Sequence, residues 1–448
     1  MTVPREDLKR FYASCDPNKS LSGTDERYVS LDRVRGSTGP TCVDLLEQTV
    51  LITDESCQLF TGFPGTGKTT ELRRLKQRFE DAKDLPTQIV YVDLEEYIDI
   101  FSPIAVTDVL RILAYCMDRE ATRMEGGDPD KKPGYLQRFI KFLEQTNIEL
   151  PKGVELSAYG ATLMLEFKNN PDFYQRAEKA LSGRFQLFVD EARLSIMNSV
   201  VRLKKARGSH AQRVVVIADG LEKMRPRREQ DREAIAASVE LLFSTHAPLL
   251  RLPCHVIYTF PLWLRYRRPD LGATYDGEPL VLPMVKVTTK EREPVREGID
   301  CLTTLVGKRL DVKSIFGDDT SNTLDRMILA TGGYPRDLLR LVRNLLTSGG
   351  GFPATPEQIE RQIERLAQDY AMALYGDELD VLVQVAEKNA VPLSNDGEVG
   401  RFIRLLDRWL VLAYRNGKEW YDLHPMARRD PRVSARLKKP SGSEPSGS

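Results

Sequence analysis

Five apolar, β-branched runs, each too short for a stable helix, punctuate the first two thirds of the chain at 56–61, 87–93, 213–218, 254–260 and 279–288. The clearest, Arg213-Val214-Val215-Val216-Ile217-Ala218, is apolar at successive rather than alternate positions, the pattern of a parallel strand buried on both faces. Helical spacing fills the gaps: 70–80 carries Leu72, Leu75 and Phe79 on one face. Strands alternating with helices predict an α/β fold with a parallel sheet covered on both sides. Residues 94–212 far exceed one crossover helix, so a helical insertion is expected at about 120–207. Within it Leu181, Phe185, Phe188, Ala192, Ile196, Val200 and Leu203 step by three or four, predicting one long helix from Pro171 to Lys205. Its stripe either docks a partner or a second copy, or packs within its own domain.

Beyond residue 290 the pattern is helical, at 294–309, 323–330 and 336–347, which suits a small lid. Helices at 356–372, 377–388 and 398–409 then precede two strand-like runs, 410–414 and 419–423, joined through Asn416-Gly417, a strong hairpin signal. Helices ending in a hairpin predict a winged helix. The expected organisation is an N-terminal arm to 25, a nucleotide-type α/β domain at 26–290, a lid at 291–350, a winged helix at 351–435 and a disordered tail at 436–448, the last from its Gly, Ser and Pro content.

Composition changes little in this picture. Lys plus Arg equals Asp plus Glu at 65 each, so overall charge argues neither for nor against a polyanionic partner. No apolar stretch approaches a membrane span and the N-terminus lacks a signal-peptide core, which predicts a cytoplasmic protein that does not engage a membrane. Six scattered cysteines form no C-x-x-C pair and are expected to be reduced thiols, Cys57 and Cys254 within strands.

The chemistry concentrates after the first strand. Gly62-Phe63-Pro64-Gly65-Thr66-Gly67-Lys68-Thr69 matches G-x-x-x-x-G-K-[ST] at every specified position, between a strand and a helix as the motif requires. Its backbone N–H groups converge on phosphate oxygens with a helix dipole behind them. Residues 62–70, Thr70 included, are therefore the expected nucleotide-binding set. Lys68 reaches the β- and γ-phosphates, and Thr69 offers its hydroxyl to Mg²⁺. The strand ending in Asp219-Gly220-Leu221-Glu222 supplies the second acidic element, with Asp219 on Mg²⁺. Glu222 either orients the attacking water or is a solvated loop carboxylate. In the lid, Gly332-Gly333-Tyr334-Pro335-Arg336 would aim Arg336 from a helix start toward the nucleotide, or is an ordinary capped helix.

The phosphate loop, Asp-Gly-Leu-Glu strand end, Gly-Gly-Tyr-Pro-Arg turn and terminal winged helix together resemble the AAA+-related STAND ATPases, with their NACHT and prokaryotic signalling branches, over roughly 26–430. That resemblance implies slow ATP hydrolysis, occupancy by ATP or ADP, oligomerisation and a role in antiviral defence. It places Pro335 and His424 on the nucleotide. The strand 255–259 ends in Phe260-Pro261 where many relatives carry an arginine, which leaves Thr259 as a γ-phosphate sensor and Arg225, Arg227 or Arg228 as fingers across a subunit boundary. No repeat array or effector unit follows, so a separately encoded effector or sensor protein is implied. The competing reading is a DNA-associated AAA+ ATPase of the initiator or transposition-regulator kind. Residues 401–440 hold 11 Lys and Arg against 4 Asp and Glu, and Arg428, Arg429 and Arg432 would face DNA phosphates. A non-catalytic nucleotide-binding scaffold is a third reading.

Overall fold

Five strands form one sheet in the order β2-β3-β4-β1-β5: β1 (Cys57–Gly62), β2 (Thr87–Asp93), β3 (Arg213–Asp219), β4 (His255–Thr259) and β5 (Leu280–Leu282). β1 with β4, β4 with β3, and β3 with β2 all pair in parallel. β1 and β4 are buried at every residue and β3 at all but Arg213, which is why none of them alternates an apolar with a polar face. The computed structural model describes residues 3–36, 39–82, 86–129, 134–146, 148, 159–206, 213–392 and 395–438. The expected tail at 436–448 falls almost wholly outside them. Among the described residues no helix is long and apolar enough to cross a membrane.

The chain divides into two compact units, 42–62 with 71–281 and 1–41 with 63–70 and 282–448. The first holds the sheet and the insertion. There the expected long helix is two, Pro171–Gly183 and Phe185–Ala206. Gly183, with low helix propensity, and Arg184, at non-helical φ −130°, mark the break. Phe188, Ala192, Ile196, Val200 and Leu203 are all buried, and their helix packs along Val106–Met124. The stripe is thus spent inside the unit. Phe139 joins Phe188 and Phe167 in one aromatic cluster, at centroid distances of 6.0 and 5.8 Å.

The second unit carries the lid helices Arg296–Gly307, Thr320–Ala330 and Pro335–Thr347 and the winged helix. The latter comprises Pro356–Met372, Leu379–Lys388, Asp396–Asp407 and the antiparallel hairpin β6 (Val411–Asn416) and β7 (Lys418–Leu423). The expected strand at 279–288 shortens to β5, and its remainder pairs elsewhere: Met284 N–H donates to Ala413 O and Lys286 N–H to Val34 O. Gly333 sits at φ +79° with Val285 O only 1.9 Å from where a Cβ would stand, so that position admits glycine alone.

Part of the net positive charge of 401–440 is met by carboxylates from outside it: Arg404 and Arg408 pair with Glu378, Arg429 with Glu360 and Arg436 with Asp380, while Arg428 and Arg432 pair with Asp422 and Asp430 within the segment. A count over a contiguous segment missed the acids that Pro356–Met372 and residues 377–380 bring against it.

Candidate functional site

The loop after β1 is held from inside its own unit. Thr66 N–H and its hydroxyl both donate to Phe63 O, at 3.2 and 2.8 Å, and Lys68 Nζ donates to the same carbonyl at 3.1 Å. Gly65 and Gly67 take φ +86° and +102°, which turns the chain tightly into the helix Lys68–Asp81. Three side chains from outside the motif grip this turn. Arg35, 4% exposed, donates from Nη2 to Thr66 O. Tyr334 donates its hydroxyl to Pro64 O. Arg336 lies on Gly65 so closely that a Cβ there would meet its Nε at 2.5 Å. Leu21 N–H donates to Thr70 Oγ1 at 3.2 Å.

Arg336 thus lies on the loop, on the helix that Pro335 begins. His424 is placed differently from the expectation of a phosphate contact. It is fully buried, with its ring stacked on Tyr370 at 3.9 Å. Nδ1 accepts from Met426 N–H at 3.1 Å, leaving the proton on Nε2, 3.4 Å from Asp337 Oδ2. Burial lowers its pKa although Asp337 opposes this, while Asp337, which also accepts from Tyr370 Oη at 2.7 Å, stays below the usual carboxylate range. Nδ1 is hydrogen-bonded within the protein, and Nε2 faces the buried Asp337 carboxylate without a formal hydrogen bond.

In the sheet unit, β1 and β3 run parallel, so Gly62 and Asp219 end their strands at one edge. Asp219, 1% exposed, accepts from Tyr91 Oη at 2.5 Å through Oδ2. Tyr91 belongs to β2, where Asp93 stands in register with Asp219. Burial, with Asp219 beside it, pushes the Tyr91 phenol far up, so it donates its proton at any ordinary pH. Gly220 N–H lies 2.8 Å from Thr259 Oγ1 and 3.1 Å from Glu222 Oε2. Glu222 is buried and folds back on its own turn, and Thr259 ties β4 to the end of β3. Arg225, Arg227 and Arg228 are exposed, the first two over the Phe101 ring at 5.4 and 4.5 Å.

Sequence reading missed Arg35, Tyr334 and Tyr91. Tyr334 lay inside a motif already singled out. Arg35 and Tyr91 carry no local signal, because only the folded chain brings them to the loop and to Asp219.

The Thr69 hydroxyl and, in the sheet unit, the Asp219 carboxylate are each hard oxygen donors of the kind that Mg²⁺ takes beside phosphates and water. Among the described residues no group of three or more His, Cys, Asp or Glu forms an all-protein metal cage.

A parallel sheet with a glycine loop after β1, an aspartate ending β3, and a winged helix at the C-terminus defines the P-loop nucleoside triphosphatase α/β fold. No family model matches the chain, and no curated protein does. Among solved structures it is similar to the Walker-type ATPase PABY2304 of Pyrococcus abyssi, at 13% identity over 94% of this chain and 99% of that one, TM-score 0.40. It is also similar to the ADP form of the Aeropyrum pernix ORC2 protein, at 12% identity over 95% and 98%, TM-score 0.41. A third similar structure is Drosophila ORC bound to DNA, at 13% identity over 98% and 94%, TM-score 0.39.

Proposed function

We propose that this chain is an AAA+-type ATPase that binds ATP with Mg²⁺ at loop 62–70 and hydrolyses it slowly. The observation carrying the reading is the gripped loop itself: a complete phosphate-binding motif between a buried strand and a helix, contacted by Arg336 of the lid helix. Backbone N–H groups and Lys68 neutralise the phosphates. Mg²⁺, when bound, offsets charge on the β- and γ-phosphates. Thr69 and Asp219 are the residues that would hold it, and Tyr91 fixes the plane of the Asp219 carboxylate. Glu222 orients the attacking water after releasing Gly220 N–H. The test is nucleotide titration with phosphate release. Asp219→Ala weakens the Mg²⁺-dependent component, and Glu222→Gln retains binding while turnover falls. Unchanged turnover in Glu222→Gln removes that residue from the mechanism.

Arg336 couples lid and loop, so nucleotide state biases lid placement through differential affinity for two states. Duplex DNA is the partner class this reading favours. The winged helix presents the exposed hairpin tip Asn416 to Glu419, with Lys418 on it, while Arg428, Arg429 and Arg432 are occupied by carboxylates. Salt-sensitive anisotropy with a labelled duplex, weakened by Lys418→Ala, supports it. A nucleotide-dependent self-association or complex with a separate effector protein, with no DNA binding, supports the signalling-switch reading instead.

A further inference from the structure

A half-open cavity of about 710 Å³ lies within the sheet unit between the insertion helices and residues 97–111, remote in sequence from the phosphate loop and lined by Ile104, Asp108, Arg111, Phe167, Glu178 and Phe185 among others. That volume suits a small organic ligand. Arg111 is 1% exposed, yet its guanidinium is poorly used. Nη2 lies 3.2 Å from Asp108 Oδ1, Nη1 faces the sulfur of Met164 at 2.8 Å, and Nε meets no acceptor among the described residues. Phe167 caps the group at 3.8 Å. A buried arginine with one donor on a carboxylate, one on a thioether and Nε on nothing is only partly satisfied, which is costly unless something else accepts from it.

Asp108 meets only part of that demand: its Oδ1 accepts from Arg111 Nη2, while its Oδ2 takes Ala105 N–H at 3.0 Å and Tyr174 Oη at 2.7 Å. Glu178, one turn beyond Tyr174, is the opposite case: a half-buried carboxyl that accepts no hydrogen bond among the described residues. Its pKa is raised by burial and by Asp108. The cavity therefore offers a guanidinium with donating capacity to spare and one carboxyl without a hydrogen bond, on walls that are otherwise largely apolar.

We propose that this cavity binds a zwitterion bearing an apolar side chain, an amino acid or short peptide, whose carboxylate meets Arg111 and whose ammonium meets Glu178. Ile104, Phe167 and Phe185 receive the side chain. Lys168, also on the wall, is held away from the ligand space by donating to Glu95 O at 2.6 Å.

The full chain is titrated, by thermal shift and by NMR line-shape change, with L-phenylalanine and with L-phenylalanyl-L-phenylalanine. L-phenylalaninamide, which lacks the carboxylate, and 3-phenylpropionate, which lacks the ammonium, are the controls. At least one zwitterion is expected to bind saturably, and the two zwitterionic probes tell a free amino acid from a peptide. Each control should bind roughly ten- to a hundred-fold more weakly, the equivalent of one charge-assisted hydrogen bond. Arg111→Lys should erase the preference over the amide. Glu178→Gln, at a half-buried site without a hydrogen bond to lose, should erase the preference over 3-phenylpropionate even if the arginine variant fails to fold. No saturable response to either zwitterion at millimolar concentration, controls that bind equally well, or an unchanged preference in Glu178→Gln overturns the proposal.

Discussion

Replacing Gly65 by alanine perturbs the phosphate loop at the point where Arg336 rests on it. Two costs can be read from the geometry. The residue sits at φ +86°, and an L-residue in left-handed backbone costs about 1–2 kcal/mol. The new methyl would also stand 2.5 Å from Arg336 Nε, 2.7 Å from its Cβ and 2.8 Å from its Cδ. Carbon contacts are comfortable at about 3.5–4.0 Å, so loop and arginine must part by roughly 1 Å. Overpacking of this kind costs about 1–3 kcal/mol. If only about 2 kcal/mol is relieved by distorting the loop away from its phosphate-binding shape, nucleotide affinity falls about 30-fold. The assay is fluorescence titration with methylanthraniloyl-ADP. Gly39→Ala, with nothing within 4 Å of its Cβ and no positive φ, is the control and should bind as wild type. Adding Arg336→Ala to Gly65→Ala removes the Cδ and Nε contacts but keeps the Cβ contact and the backbone strain, so rescue should be partial. Affinity within two-fold of wild type in Gly65→Ala would refute the idea that loop shape and Arg336 contact are coupled.

Other outcomes follow from the same structure. Tyr91→Phe frees the Asp219 carboxylate from its 2.5 Å hydrogen bond, so the Mg²⁺ concentration for half-maximal turnover should rise several-fold while Mg²⁺-free nucleotide binding stays unchanged; equal loss of both would mean a structural role only. His255, 1% exposed, has its pKa pulled down to about 4 by burial and by Arg213 and Lys204. A lowered histidine pKa means the unfolded chain binds the proton first. Stability should therefore fall as pH drops from about 6.5 toward 4, by about 3 kcal/mol from this residue, and a chemical-denaturation profile of His255→Gln should be flatter in that window. Phe188→Ala, in the aromatic cluster of the insertion, should destabilise by about 3–5 kcal/mol, whereas Leu187→Ala, at 62% exposure beside it, should stay within about 0.5 kcal/mol; denaturant midpoints compare them.

What could be read without coordinates was what depends on local pattern. The buried strands announce themselves by unbroken apolar runs, and the phosphate loop by glycines whose positive φ values no other residue adopts cheaply. The hairpin followed from Asn416-Gly417, and Gly417 does turn there at φ +70°. Patterns became ambiguous where a single weak breaker decided the outcome. The stripe from Leu181 to Leu203 continues through Gly183, so periodicity alone joins two helices into one. Long-range pairing was illegible. Arg428, Arg429 and Arg432 read as a basic face because Glu360 is distant in sequence, and because Asp422 and Asp430 count as two charges among many until the fold sets them against particular arginines. Likewise nothing in the sequence around Arg35 or Tyr91 marks one for the loop and the other for Asp219. His424 matched a phosphate contact by its position after the hairpin, but its burial against Tyr370 and Asp337 directs both nitrogens inward.

The central claim is that loop 62–70 binds nucleotide and that this chain turns it over. Lys68, 3% exposed at the head of its helix, is the charge on which that binding rests. The direct measurement is ATP binding and phosphate release for purified wild type and Lys68→Ala, prepared identically and shown by circular dichroism to be equally folded. The account predicts slow, Mg²⁺-dependent turnover in wild type, with neither binding nor turnover in Lys68→Ala. Turnover persisting at the wild-type rate in Lys68→Ala would contradict it.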